Sequence, residues 1–194
     1  MNKGRIEAFS DGVIAIIITI MVLELKTPHH ATLDVLKPLI PTALSYLLSF
    51  VYVGIYWNNH HHLFHAVKQV RGVALWANLH LLFWLSIIPF VTGWMGENHF
   101  ELWPTIFYGV VLTLNSVAFI ILDRVLVKQA GPNSVLAKAV GHDWKSKISF
   151  IIYMAAIGLA FVDPKISLAL YTLVAIVWFL PDRRIEKVLL EDVS

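Results

Sequence analysis

Long, mainly apolar stretches separated by short polar segments make up most of this chain of 194 residues. A helix needs about 20 consecutive, mostly apolar residues to cross the hydrocarbon core of a bilayer. Several stretches reach that length, so the pattern predicts an all-α integral membrane protein with six transmembrane helices. The predicted spans are Ile6–Leu25, Leu36–Phe64, Val73–Trp94, Trp103–Leu122, Ile148–Val162 and Ile166–Leu180.

The composition agrees with this pattern and excludes a soluble enzyme domain. The chain is 58% hydrophobic and 14% charged, whereas soluble domains are about 45–50% apolar and about 25% charged. It has no cysteine, so neither a disulfide nor a thiolate metal site is available. A net charge of +2 does not predict nucleic-acid binding. We expect one multi-pass domain, residues 1–194, in the cell membrane with the lipid bilayer as its surroundings.

The basic residues predict the orientation. Twelve of the fifteen Lys and Arg residues fall in the N-terminus, the second-to-third and fourth-to-fifth connections, and the C-terminus. The other side has three, Lys26, Lys37 and Lys165. Because loops rich in Lys and Arg remain in the cytoplasm, we expect both termini to be cytoplasmic. An even number of spans, which puts both termini on one side, is consistent with this.

The first span has two dissimilar faces. At about 100° per residue, one face carries apolar side chains with a single hydroxyl and a glycine: Gly12, Ile16, Thr19, Ile20 and Leu23. Asp11 falls on roughly the opposite face, with Ala15 and Val22. A charged side chain within a span costs several kcal/mol, so Asp11 needs a partner.

The partners predicted for Asp11 lie at the end of the second span, which reads Trp57-Asn58-Asn59-His60-His61-His62-Leu63-Phe64-His65. In an antiparallel pair of helices, Ser10 and Asp11 lie at the depth of this cluster. We therefore expect a structural hydrogen-bonded network at this depth. Its predicted members are Arg5, Phe9, Ser10, Asp11, Trp57, Asn58 and His61.

The histidine cluster allows three interpretations. His61 and His65 are spaced i, i+4 on one helix face, which suits a metal such as zinc. The histidines could also relay or sense protons. Structural side chains near the membrane interface are the third interpretation. No carboxylate is adjacent in sequence, so the structural interpretation is favoured and no metal ligand is assigned.

The first helix resembles the signature of the transmembrane protein 175 family of potassium channels. The similarity lies in Arg5-x-x-x-Phe9-Ser10-Asp11-Gly12 and the following Ala15-Ile16, Thr19 and Val22–Leu25, and Trp57-Asn58-x-x-His61 also fits. A single six-helix repeat resembles the prokaryotic form. The resemblance implies a homotetramer with a central pore lined by the first helix of each subunit. It also implies that Ile16, Ile20 and Leu23 form apolar constriction rings and that Thr19 forms a hydroxyl ring.

The expected function is passive conduction of cations, selective for potassium but only weakly over sodium. The permeant ion is K+ and no cofactor is expected. Glu24, at the outer end of the first helix, would raise the local cation concentration through its field. The alternatives are a proton-conducting or proton-regulated channel that uses the histidine cluster and Asp11, and a secondary cation transporter. The sequence has no Ser/His/Asp or His-Glu-x-x-His arrangement, so an enzyme is not expected.

Overall fold

The computed structural model describes residues 3–67, 69–132, 134, 136–137 and 144–179. Within these residues the protein is all-helical, as predicted. Its α-helices are α1 (Lys3–Leu23), α2 (Ile40–His65), α3 (Gly72–Glu97), α4 (Leu102–Ala130), α5 (Trp144–Leu159) and α6 (Pro164–Phe179). A 3₁₀ helix, Leu33–Leu39, precedes α2. Leu180 and the C-terminal basic residues Arg183, Arg184 and Lys187, used above to predict a span end and the orientation, lie outside the described residues.

Among the described residues, four helices are long and apolar enough to cross a membrane: α1, α2 with its preceding 3₁₀ turn, α3 and α4. The helix α6 is apolar but has 16 residues, a length of about 24 Å at about 1.5 Å per residue. The fourth helix continues to Ala130, beyond the predicted end at Leu122. The prediction ended where Asp123 and Arg124 begin, but charged residues end an apolar stretch without ending a helix.

Prolines explain why α2 begins later than predicted. The second span was predicted from Leu36, whereas regular α-helix begins only at Ile40. Pro38 lies in the 3₁₀ turn and Pro41 in the first turn of α2, where its missing N–H costs nothing. A proline also begins α6, at Pro164. The residue before it caps the helix, since the Asp163 Oδ1 accepts a hydrogen bond of 2.9 Å from the Lys165 N–H.

Helix α3 packs against helices on two sides, with α1 and α2 on one side and α4 on the other. It packs against α1, α2 and α4, while α5 and α6 pack against each other, α4 and, through α6, α2. The principal contacts of α1 are with α3 and α2. One side of α1 is therefore left without a neighbour in the single chain.

A group of buried hydroxyls holds α2 to α3 and α4. The Ser49 hydroxyl lies 2.7 Å from the Thr92 hydroxyl and 2.9 Å from the Tyr108 hydroxyl. Ser45 donates to the Thr92 carbonyl at 3.1 Å. Small side chains let the helix backbones approach closely, as at other helix contacts in membranes.

Helices α2 and α3 approach each other closely at Gly96. A Cβ at this position would lie 2.6 Å from the Cα of Thr42 and would also overlap the Ser45 hydroxyl. Since a backbone atom cannot move without the helix, we expect Gly96→Ala to destabilise the protein by about 1–3 kcal/mol. Gly54→Ala is the matched control, because nothing lies within 4 Å of its added Cβ. It should be neutral or stabilising in thermal unfolding, since alanine favours helix; equal losses for both variants would contradict this packing.

Candidate pore-lining helix

The packed side of α1 is a stripe of five buried residues at helical spacing. They are Ile6, Ser10, Ile14, Ile17 and Met21. Such a stripe is what a helix buries when it packs on one side only. This packing fixes the rotation of α1, and thus which residues its other faces present.

The opposite side of α1 presents the residues singled out in the sequence. Ile16 is 59% exposed, Ile20 44% and Leu23 72% in the single chain, and Thr19 is exposed between them. Three large aliphatic side chains on one side of a helix form an apolar surface that needs a lipid or protein neighbour. The structure thus places these residues together on a face that the chain itself leaves uncovered.

Thr19 donates its hydroxyl hydrogen to the carbonyl of Ala15, at 2.9 Å. This back-bonding is common for hydroxyls in membrane helices. Because the hydrogen is engaged by the backbone, the oxygen presents its lone pairs outward. On this exposed face Thr19 is therefore an acceptor, the polarity that a cation requires.

Glu24 follows directly after α1, and its side chain lies across Gly93 of α3. A Cβ at Gly93 would come within 2.6 Å of the Glu24 Oε2. Glu24 also borders a cleft between α1 and α3, together with Ile16, Ile20 and Phe90. Nearby, Lys26 forms an ion pair with Glu97 at 2.5 Å, and this hydrogen bond raises the pKa of Lys26 above its ordinary value of 10.5. Lys26 thus stays charged at neutral pH and joins α1 to α3 at this end.

At the other end of the bundle, Asp11 accepts a hydrogen bond of 3.0 Å from the Trp57 Nε1–H. His61 stacks beside Trp57 with ring centroids 6.3 Å apart, and His65 stacks on His61 at 6.1 Å. The structure therefore brings together Asp11, Trp57 and His61 of the predicted network. These side chains lie on a face separate from that of Ile16.

Ser10 belongs to a different, buried chain of hydrogen bonds. The Asn78 Nδ2 donates to the Ser10 hydroxyl oxygen at 2.9 Å, and Ser10 donates to the Ile6 carbonyl at 2.9 Å. The Asn78 Oδ1 lies 2.7 Å from the His60 Nε2, so that nitrogen carries the proton that Asn78 accepts. One polar chain thus joins α1, α2 and α3.

Three predicted members stand apart from these contacts. Arg5, Phe9 and Asn58 are exposed and hydrogen-bond to no other side chain in the described part of the protein. Conversely, the sequence did not single out Asn78 and His60 as partners of Ser10. The available signal was spacing, because His60 continues the buried series Ser45, Ser49, Tyr52 and Tyr56 along α2.

Metal binding was one interpretation of the histidine cluster. Among the described residues, no group of three or more His, Cys, Asp or Glu side chains is arranged to hold a metal ion. His60 is turned into the core, whereas His61 and His65 are exposed. The three consecutive histidines therefore lie in different environments.

Comparison with known proteins identifies the family. A relative from Chryseobacterium sp. (strain P1-3), named a potassium channel, is 53% identical over 192 residues, which is 99% of this chain and 100% of the relative. The family model described as endosomal/lysosomal potassium channel TMEM175 matches residues 5–89. The chain belongs to the TMEM175 family.

The fold agrees with TMEM175 membership. The crystal structure of a lysosomal potassium-selective channel TMEM175 homolog from Chamaesiphon minutus superposes with a TM-score of 0.79, at 29% identity, covering 92% of this chain and 96% of the homolog. The family resemblance that was first seen in α1 is therefore confirmed, and the similarity extends over nearly the whole chain. The family is one of membrane-spanning ion channels rather than of enzymes.

A vertebrate TMEM175 protein shares only part of the chain. The protein from Danio rerio, named an endosomal/lysosomal proton channel, is 35% identical over 96 residues, which is 43% of this chain and 18% of the relative. Relatives of this chain thus carry names for conduction of two different cations.

Proposed function

We propose that this protein is a passive potassium channel of the cell membrane, selective for K+ but only weakly over Na+. The observation that carries the proposal is the uncovered face of α1, where large aliphatic side chains flank an outward-facing hydroxyl. The name of the 53% identical relative supports the choice of ion. The whole chain, residues 1–194, would act as one six-span domain with both termini in the cytoplasm.

The conduit in this proposal lies between subunits. Four copies would gather around an axis and turn the Ile16, Ile20 and Leu23 side chains toward it, so that each position forms an apolar ring. Narrow apolar rings stop conduction by excluding water, and a small rotation of the helices widens them. Burial of these residues against one another would also remove their exposed area from lipid and water.

Thr19 would form a ring of hydroxyl groups between the apolar rings. Its oxygen lone pairs face outward because its hydrogen is bonded to Ala15. A ring of weak acceptors replaces part of an ion's hydration shell, and K+ releases water more readily than Na+. Such a ring should favour K+ modestly.

The proposal is tested by flux into liposomes that contain the purified protein. A K+ gradient should drive uptake of a tracer cation without any coupled ion, and K+ should be preferred over Na+. Saturable uptake that requires a counter-ion would instead favour the secondary transporter. Absence of K+ flux from protein that elutes as a single oligomer would contradict the proposal.

Glu24 gives a prediction about the outer mouth. Glu24→Gln should lower the K+ flux at low ionic strength, because the carboxylate no longer attracts cations. The loss should fade near 1 M salt, where the Debye length is about 3 Å. Glu101→Gln is the control, since Glu101 precedes α4, whose principal contacts do not include α1. A loss that is independent of salt, or equal in both variants, would show that Glu24 does not act through its field.

Proton conduction is the second candidate, and the vertebrate relative named a proton channel favours it. Asp11, Trp57 and His61 form a polar surface at one end of α1 that could pass or sense protons. Reversal potentials separate the candidates. A potential that follows the K+ gradient supports potassium conduction, and one that follows the pH gradient supports proton conduction.

A further inference from the structure

A small cavity, partly open to the surface and lined by both apolar and polar side chains, lies on the side of α2 away from the candidate pore. Its lining comes from α2, α4, α5 and α6, with no residue of α1. The polar side chains around it are Tyr56, Asn59, Ser116, Ser146 and Ser149. Aromatic rings complete the wall: Tyr52, Phe119, Tyr153 and Trp178.

Two of these polar groups face the cavity without a partner. Tyr56 is 9% exposed and Ser116 8%, and no hydrogen bond of either hydroxyl is described among the residues that the structure covers. Neither hydroxyl oxygen is sealed from a water-sized molecule. Asn59 uses its Nδ2 to donate to the Ile55 carbonyl at 2.8 Å, which leaves its Oδ1 as a further acceptor. A buried hydroxyl without a hydrogen bond costs about 1–3 kcal/mol. We therefore expect a molecule bound in the cavity to supply hydrogen bonds to these groups.

Size and charge limit what the bound molecule can be. The volume open to a water-sized molecule is about 30 Å³, above the roughly 10–15 Å³ that one bound water requires. No Asp, Glu, Lys or Arg side chain is among the described residues that line the cavity, so an ion would have no counter-charge. To pair with the two hydroxyls and the amide oxygen, the bound molecule must both donate and accept hydrogen bonds.

We propose that this cavity is a binding site for a neutral, water-sized hydrogen-bonding molecule, occupied by ordered water, that bridges Tyr56 of α2 to Ser116 of α4. The bridge joins α2 to α4. Helix α2 is in turn connected to α1, because His60 hydrogen-bonds Asn78 of α3 and Asn78 hydrogen-bonds Ser10. The proposal is independent of which ion the protein conducts.

Radiolytic labelling tests the site in the intact protein. Hydroxyl radicals generated from water by X-rays oxidise side chains next to bound water, and mass spectrometry locates the product. Tyr56 should be oxidised several times faster than Tyr108. Tyr108 is the internal control, because it is fully buried and its hydroxyl already lies 2.9 Å from that of Ser49. Equal, low oxidation of both tyrosines would overturn the proposal.

Variants of Ser116 separate bound water from bulk solvent. Ser116→Val fills the cavity and should reduce Tyr56 oxidation to the level of Tyr108, whereas Ser116→Ala keeps the space and should retain oxidation. Persistent labelling in a folded Ser116→Val protein would show that bulk water reaches Tyr56, which overturns the proposal. If Ser116→Val does not fold, labelling in H₂¹⁸O decides: delayed incorporation of ¹⁸O indicates bound water, and immediate incorporation contradicts it.

Discussion

Ile16→Asn should increase the K+ leak of protein-containing liposomes by about tenfold, which corresponds to a barrier lowered by about 1.4 kcal/mol. Ile16 is 59% exposed on the uncovered face of α1, where four copies would close an apolar constriction. An amide wets such a constriction and removes the penalty for a hydrated ion. Tracer influx driven by a K+ gradient measures the effect.

The matched control for this prediction is Val22→Asn. Val22 is in the same helix and is 43% exposed, but it lies on the face of Asp11 rather than that of Ile16. The same polar group there should leave the leak unchanged. Equal leaks from the two variants would show that any polar residue in α1 perturbs the protein, and the assignment of the pore face would fail.

Asn78→Ala should lower the free energy of unfolding by about 2–4 kcal/mol, because it leaves the buried His60 Nε2–H without its acceptor and removes the hydrogen bond that Ser10 accepts. Asn78 donates to Ser10 and accepts from His60, and all three side chains are buried. The variant removes the buried side-chain hydrogen bond between α1 and α3 at this depth. Thermal unfolding in detergent should show an apparent Tm several degrees below that of the wild type.

Asn58→Ala controls for the loss of an asparagine. Asn58 is exposed on α2 and its side chain has no hydrogen bond among the described residues, so its removal should change the apparent Tm little. If Asn58→Ala were as destabilising as Asn78→Ala, the buried chain would not be what holds α1. A small loss for Asn78→Ala would lead to the same conclusion.

The sequence predicts the helices well because the relevant signal is local. Apolar stretches and the 3.6-residue period together give the rotation of α1, including the separation of Asp11 from Ile16. The prolines, whose effect is also local, set the start of α2 at Ile40 rather than Leu36. At Asp123 the signal misled, since it reports membrane burial rather than helix length.

Among partners across helices, the sequence predicted the Asp11–Trp57 contact but not the partners of Ser10. His60 and His61 are neighbours, about 100° apart on α2, and the sequence alone favoured His61. The fold turns His60 toward Asn78 because the residues one turn away, Tyr56 and Phe64, are in the core. The cavity beside Tyr56 was equally hidden, because it depends on how four helices leave a gap between them.

A single adjacent pair of cysteine variants tests the central claim, that the isoleucine face of α1 borders the ion path. The chain contains no cysteine, so Leu23→Cys and Val22→Cys each introduce one thiol. A positively charged, water-soluble methanethiosulfonate reagent should block K+ flux through Leu23→Cys and leave Val22→Cys unaffected. Block at Val22→Cys with none at Leu23→Cys would contradict the claim and place a different face of the helix, or a different helix, along the path.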